Sequence, residues 1–176
     1  MNEALERVAE ILGQRYFGKY RGEVVGTADP TKRGRLLVTC PAVLGEQRVW
    51  ALPAVPYAGA GLGLFALPPA GSSAWIEFEG GEINQPIWSG CFWKEGEIPA
   101  GDALEGVMFV RTPGATIRVD NDAGVVEIEA SGGARITLAP DGITLDAASV
   151  TLTANGGSAK VSAAGFDAMN GAFTVV

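Results

Sequence analysis

The sequence predicts an all-β protein in two parts, preceded by a short helix. Hydrophobic residues make up 47% of the 176 residues and charged residues 19%, which is enough apolar material for a packed core. Short runs that alternate apolar and polar side chains, separated by Gly and Pro, cover most of the chain. All four Trp residues lie in the first hundred positions, so the composition changes near residue 100.

The composition excludes several classes of function. Histidine is absent, which removes the commonest general base, the commonest zinc ligand and every nucleophilic system built on His. The net charge of −7 argues against binding to a phosphate backbone. We therefore expect no catalytic site, no cofactor, no metal and no nucleic-acid partner.

Two further features bear on the compartment. Cys40 and Cys91 form no paired motif, so we expect both to be small buried residues in a reducing environment. No run approaches the ~20 apolar residues of a membrane span, and the acidic start is unlike a secretory signal. We expect the protein to be assembled in the cytoplasm.

Residues 1–15 predict a short amphipathic helix. Apolar residues recur at spacings of three and four, with charged residues between them. A helix of this length is marginal alone, so its apolar stripe needs a cover. The stripe could be covered either by packing against the rest of the protein or by docking on a partner. The stripe consists of Leu5, Val8, Ile11 and Leu12.

Residues 16–95 predict five short strands joined by Gly and Pro turns. No helical period occurs among them, which favours a small closed barrel such as an OB-fold. The glycines at 59, 61 and 63 lack the pattern of a phosphate-binding loop and predict a flexible turn. The strand candidates are residues 20–26, 35–40, 48–51, 73–78 and 86–89.

Residues 96–106 predict a linker, and residues 107–176 a regular series of strands. Five segments each carry an apolar-x-apolar pair, and glycines at 124, 133 and 142 mark turns between them. The pairs are Ile117/Val119, Val126/Ile128, Ile136/Leu138, Ile143/Leu145 and Val150/Leu152.

The apolar pairs of these strands offer too little hydrophobic surface to form a core within one chain. Each strand offers two aliphatic side chains, while ordering the backbone costs roughly 1–2 kcal/mol per residue. Packing several copies face to face would enclose Val, Ile and Leu and leave Thr, Asp and Glu outside. The C-terminal half therefore predicts an obligate homo-oligomer whose core consists of the ten residues of the five pairs.

The first half also resembles a known family. Tyr20-x-Gly22-x-Val24, then Asp29, then Gly34-Arg35-Leu36-x-Val38 resemble the opening of the central-spike OB domain of contractile injection systems. The block from Leu67-Pro68 through Ile76-x-Phe78-x-Gly80-Gly81 to Pro86-Ile87-x-Ser89-Gly90 is similar to the same family. Members include phage baseplate assembly protein V and the spike portion of type VI secretion VgrG proteins.

The resemblance implies a structural role. Family members are trimers whose C-terminal strands intertwine into a β-helical or β-prism needle, which sheath contraction drives into a target cell envelope. The implied location is a virion tail baseplate or tailocin particle, assembled in the cytoplasm of a bacterial host. No hub domain precedes the barrel here, so a separate tail hub protein is expected, with the helix stripe as its candidate contact.

The C-terminal end differs from relatives whose tip carries a His-x-His iron site, because this chain has no His. An apolar end would leave hydrophobic surface in water, so we expect a separate PAAR-like tip protein to cover it. Its candidate contacts are Phe173, Val175 and Val176.

Two other functions remain open at this stage. An OB-type module that binds oligosaccharide or single-stranded nucleic acid would use Trp75, Trp88 and Trp93 as stacking surfaces. A glycosidase would use Glu77 and Glu79, which share one face of a strand about 7 Å apart. Core packing for the tryptophans and a solvated face for the carboxylates are the simpler interpretations.

Overall fold

The computed structural model describes residues 3–13 and 15–175, without the side chains of residues 9–12. It divides into two compact units, Met1–Glu97 and Ile98–Val176. The division falls inside the turn-rich segment 96–106. Within the described residues, no helix has the length and apolar character needed to cross a membrane.

Within its described residues, the first unit contains two α-helices, α1 and α2, a short 3₁₀ turn at Glu79–Gly81 and seven strands. Helix α1 spans Glu3–Gly13, and α2 is a single turn that begins with Pro41, a residue suited to the first helical position. The elements after α1 are β1 (Tyr20–Gly26), β2 (Leu36–Thr39), α2 (Pro41–Leu44), β3 (Arg48–Pro53), β4 (Ala58–Gly59), β5 (Leu62–Gly63), β6 (Ser73–Phe78) and β7 (Pro86–Cys91).

Five of these strands close into a barrel in the order β1-β2-β3-β7-β6. Strands β3 and β7 pair in parallel, and the other neighbours are antiparallel. This is the five-stranded barrel of an OB-fold, so the predicted all-β fold with a short N-terminal helix and an OB barrel is confirmed.

The barrel encloses the hydrophobic core. Alternation along β6 decides which side chains enter it: Ile76 and Phe78 are buried, whereas Trp75 and Glu77 lie on the outer side. Gly22 allows strands to approach closely here, because a Cβ would lie 2.5 Å from the Thr39 carbonyl oxygen. The buried hydrophobic residues are Val24, Leu36, Val38, Cys40, Leu44, Ala51, Ala74, Ile76, Phe78 and Trp88.

Three local features differ from the sequence-based expectations. Residues 58–63 form the short β4–β5 hairpin where a flexible turn was expected. Cys40 is buried as predicted, but Cys91 is exposed because it ends β7 outside the core. Helix α2 was not predicted, since four residues are too few to show a helical period.

The second unit is entirely strands and turns. It forms a five-stranded sheet in the order β12-β11-β10-β9-β8 and a four-stranded sheet in the order β13-β14-β15-β16, both antiparallel meanders. The strands are β8 (Val107–Arg111), β9 (Ala115–Asp120), β10 (Val125–Ala130), β11 (Arg135–Ala139), β12 (Gly142–Asp146), β13 (Ser149–Ala154), β14 (Gly157–Ser162), β15 (Gly165–Ala168) and β16 (Phe173–Val175).

Candidate assembly interface

The five-stranded sheet aligns its apolar side chains in two rows that cross all five strands. The strand register places Ile128 opposite Ile117 and Ile136, and Val126 opposite Val119 and Leu138. We call this surface the first apolar face. Its rows are Val110, Ile117, Ile128, Ile136 and Leu145, and Met108, Val119, Val126, Leu138 and Ile143.

The four-stranded sheet repeats this arrangement in two shorter rows. The rings of Phe166 and Phe173 meet edge to face, with their centroids 6.2 Å apart. We call this surface the second apolar face. Its rows are Val150, Val161, Phe166 and Val175, and Leu152, Ala159, Ala168 and Phe173.

The ten predicted core residues therefore lie on these two faces. An open apolar hollow of about 350 Å³ is lined by residues of both, including Ile128, Leu145 and Val150. The sequence interpretation missed Met108, Val110, Val161 and Phe166. Met108-x-Val110 has the same apolar-x-apolar pattern as the five pairs, so the same pattern could have predicted these two residues.

Neither face is fully covered by the described residues of the second unit. Among the described residues 98–175, no side chain is buried. Ile143 is 71% exposed and Leu152 is 66% exposed, although both belong to paired strands. Apolar surface of this extent on a folded unit indicates an interaction surface.

The opposite side of the first sheet is mostly polar, apart from Val107, Phe109 and Val125, and several of its charged side chains have intramolecular partners. Asp102, in the segment before β8, accepts a hydrogen bond from Arg111 at 2.7 Å and lies 3.7 Å from Arg118. Arg118 also pairs with Asp120, whose pKa is lowered by the Ala123 backbone N–H and by Arg118. The segment that leads into the sheet is thus tied to the polar side, which leaves the apolar side free.

The helix stripe is exposed where it is described. Leu5 is 63% exposed and Val8 is 51% exposed, while the side chains of Ile11 and Leu12 lie outside the described residues. Phe173 and Val175 lie on β16 as part of the second apolar face, and Val176 lies outside the described residues.

The two carboxylates of the candidate catalytic pair, Glu77 and Glu79, lie in different surroundings. Glu77 is bound by the Lys19 ammonium and accepts a hydrogen bond from Ser89 Oγ at 2.9 Å. Lys19 and then Ser89 hold the pKa of Glu77 below its ordinary value, which is opposite to the shift that a general acid requires. Glu79 lies beyond the strand, in the turn Glu79–Gly81.

The tryptophans do not form a common stacking surface. Trp88 is a core residue whose indole N–H donates to the Gly34 carbonyl at 3.3 Å. Trp75 packs against Phe92, and the Arg21 guanidinium lies over both rings. Trp93 is exposed. Within the part of the chain that the structure describes, no group of three or more Cys, Asp or Glu is placed to hold a metal ion.

Comparison with known families assigns the barrel. Residues 20–93 match the family described as the type VI secretion system/phage-baseplate injector OB domain, a range that begins with β1 and ends just after β7. The barrel belongs to this family. An injector OB domain has a baseplate-related structural role. The search of curated proteins gave no match to the chain.

Proposed function

We propose that this protein is the structural central spike of a contractile tail baseplate. In this proposal it assembles as a homotrimer whose C-terminal strands form a needle, and sheath contraction drives the needle through the envelope of a target cell. The particle is a phage tail or a tailocin, assembled in the cytoplasm of the bacterial host. The injector OB domain supports a baseplate role, while the trimer and the piercing action are the proposed steps.

The observation that carries the proposal is the uncovered apolar side of the C-terminal sheets. A single antiparallel sheet is stable in water when one face is packed against another layer. The described residues of the C-terminal unit, 98–175, supply the strands but bury no side chain against a second layer, so we take sister copies as the simplest source of one. Three copies arranged around an axis would direct their apolar faces inward and their Thr, Asp and Glu side chains outward.

Backbone hydrogen bonding supports the same arrangement. In one copy, β8, β12, β13 and β16 are the outer strands of their sheets. Such edges carry unpaired N–H and C=O groups that favour pairing with another chain. Pairing them between copies would join the needle by continuous ladders, which resist bending and separation under load and give high kinetic stability.

Two further partners belong to the proposal. A separate hub protein would hold the barrel end, and a PAAR-like tip protein would cover the apolar end at Phe173 and Val175. Deleting residues 171–176 should abolish capture of a small tip protein from particle lysates. Retained capture would contradict this contact.

The proposed activity is mechanical and involves no turnover. Glu77 is held as a carboxylate by Lys19, so it lacks the raised pKa of a proton donor. Peptidoglycan zymography should therefore show no clearing. Clearing that is lost in Glu77→Gln would support the glycosidase alternative instead.

The direct test of the spike is an unboiled sample run beside a boiled one on an SDS gel, with light scattering on the same preparation. We expect a trimer by light scattering and a slowly migrating band that is lost only on boiling. A monomer at micromolar concentration would contradict the proposal.

A further inference from the structure

The barrel unit carries an exposed apolar surface beside the β4–β5 hairpin. Tyr57 is 63% exposed, Leu62 is 75% exposed and Phe65 is 76% exposed. We call Tyr57, Leu62, Leu64 and Phe65 the hairpin patch. Four large exposed hydrophobic side chains within nine positions exceed the scattered exposure of an ordinary surface, so the patch indicates a place where another molecule binds.

A groove of about 400 Å³ lies beside the hairpin patch, and the segments that form it are packed together. The backbone of Gly34, in the loop before β2, approaches the Phe65 ring so closely that an added Cβ would lie 3.4 Å from the ring. The Trp88 indole N–H donates to the Gly34 carbonyl at 3.3 Å. The loop before β2 and the segment after β5 are thus joined, and the groove is a formed part of the barrel unit.

The charged residues that line the groove, Lys32 and Arg33, are both basic. The chain carries no charged residue from Val49 to Ile76, so the hairpin offers no carboxylate to offset these cations. Among the described residues, neither cationic side chain has an ion-pair partner. This local positive charge is opposite in sign to the net charge of −7. The groove is therefore suited to an occupant that combines apolar side chains with carboxylates.

The loop that carries the two cations is held in a strained shape. Lys32 has a φ of 55°, in the left-handed region that residues with a side chain rarely adopt. Asp29 fixes the loop, because it accepts hydrogen bonds from the Thr31 backbone N–H at 3.0 Å, the Arg33 backbone N–H at 2.8 Å and the Arg35 side chain at 2.8 Å and 3.0 Å. Arg35 and the loop N–H groups hold the pKa of Asp29 well below its ordinary value, so this carboxylate stays charged. Strain maintained in this way is typical of functional segments.

The hairpin also offers backbone groups to an occupant. Strands β4 and β5 pair with each other, and no third strand joins them within the described residues. Each strand therefore has an outer edge of N–H and C=O groups with which an extended peptide could pair. A fatty acid or another small acid would use the apolar side chains and one cation but not these edges. The backbone edges thus favour a peptide as the occupant.

We propose that the groove binds an extended segment of a partner protein, in which a short run of large apolar side chains is followed directly by Asp or Glu. The apolar run would pack on Leu62 and Phe65, and the adjoining carboxylates would face Lys32 and Arg33. The contact does not depend on the proposed trimer, because every residue of the groove belongs to the barrel unit of one copy.

Selection from a library of random displayed peptides tests the chemistry of the occupant. The bait is the full chain, and clones that also bind a variant with Leu62→Ser and Phe65→Ser are removed, which leaves the clones that need the groove. Both positions are exposed, so the variant should keep its melting temperature. We expect the remaining clones to carry large apolar residues beside an excess of Asp and Glu. Clones without an acidic excess, or no remaining clones, would overturn the proposal.

Charge reversal then tests the ion pairs with a synthetic peptide made from the strongest clone. Lys32→Glu with Arg33→Glu should weaken its binding several-fold, and replacing the carboxylates of the peptide by amides should have the same effect. The matched control is Arg48→Glu with Lys94→Glu, two exposed basic residues that do not line the groove. It should leave the affinity nearly unchanged. An equal loss in both double variants would assign the effect to overall charge and contradict the site.

Photocrosslinking separates a partner segment from a second copy of the chain. A photoreactive benzoylphenylalanine at position 65 is irradiated with the labelled peptide, and the expected product is one chain linked to one peptide. A link between two chains that excludes the peptide would assign the groove to self-assembly and overturn the proposal. Light scattering on the same sample reports the oligomeric state, so failure of the peptide contact is distinguished from failure of the trimer.

Discussion

The barrel and the C-terminal unit use the same alternating strands but obtain their cores differently. The barrel closes on itself, and its inward side chains, such as Val24, Val38 and Ile76, are 0% exposed. The C-terminal sheets stay open, and Ile128 and Ile136, although flanked by paired strands, are each 40% exposed. Closure thus decides whether alternation yields a buried core within one chain or leaves an exposed apolar surface.

A charge on the first apolar face should have the largest effect on assembly. Ile128→Lys should abolish the trimer, because three copies would bury three unpaired ammonium groups around one axis. The matched control is Thr137→Lys on the polar face of the neighbouring strand, which should leave the trimer intact. Light scattering of both variants checks the prediction, and a trimeric Ile128→Lys would argue that this face lies outside.

A cavity in the barrel should lower the stability of the protein to the same extent at every protein concentration, because the barrel core lies within one chain. Ile76→Ala should reduce the free energy of unfolding of the barrel by about 2–5 kcal/mol, because it removes a fully buried side chain. Urea unfolding monitored by Trp fluorescence measures it. The corresponding Ile136→Ala should lower stability in a manner that depends on protein concentration, because its cavity lies between copies. If the loss of stability depended equally on protein concentration in both variants, the distinction between a core within one chain and a core between copies would be contradicted.

Backbone packing gives a somewhat smaller effect within the barrel. Gly22→Ala should destabilise it by about 1–3 kcal/mol or more, since the new Cβ would lie 2.5 Å from the Thr39 carbonyl and 2.6 Å from Ile76 Cγ1. The control is Gly26→Ala on the same strand, where the new Cβ would meet only the Leu37 side chain, at 3.5 Å from Cβ and 3.7 Å from Cδ2, and the change should be nearly neutral. Similar melting temperatures for the two variants would contradict the close approach.

The smallest effect concerns the ion pair on the outer side of the barrel. The folded pKa of Glu77 lies below its ordinary value of 4.5, so its contribution to stability is present above that value and is lost as pH falls through the folded pKa. Glu77→Gln should therefore lower the melting temperature slightly at pH 7 and less at pH 3. Glu79→Gln is the control. A loss of melting temperature in Glu77→Gln that is larger at pH 3 than at pH 7 would contradict the predicted pH dependence.

The sequence predicted the barrel strands well because their signal is local. The bounds of β1 and β6 agree with the predicted 20–26 and 73–78, since alternation and flanking turns define them. The β4–β5 hairpin was missed because two-residue strands show no alternation. Cys91 was placed wrongly, because an apolar neighbourhood in sequence does not reveal that a residue ends its strand.

The two apolar faces were only partly predictable from sequence. Alternation placed each of the five pairs on one side of its strand, but the alignment of the side chains into rows depends on strand register, which the pairs alone do not define. The exposed apolar surface at Leu62 and Phe65, beside the β4–β5 hairpin, was not anticipated, because the groove next to it joins residues near 33 and 65 that are distant in sequence. The order of the strands in the barrel brings these segments together.

We propose that the C-terminal strands fold only against sister copies. Sedimentation equilibrium of the full chain at micromolar concentration, combined with amide exchange across residues 107–175, tests this proposal. We expect a particle of three times the 18.2 kDa chain mass, with slow exchange throughout β9 to β15. A particle of 18.2 kDa whose amides in those strands are equally protected would contradict it.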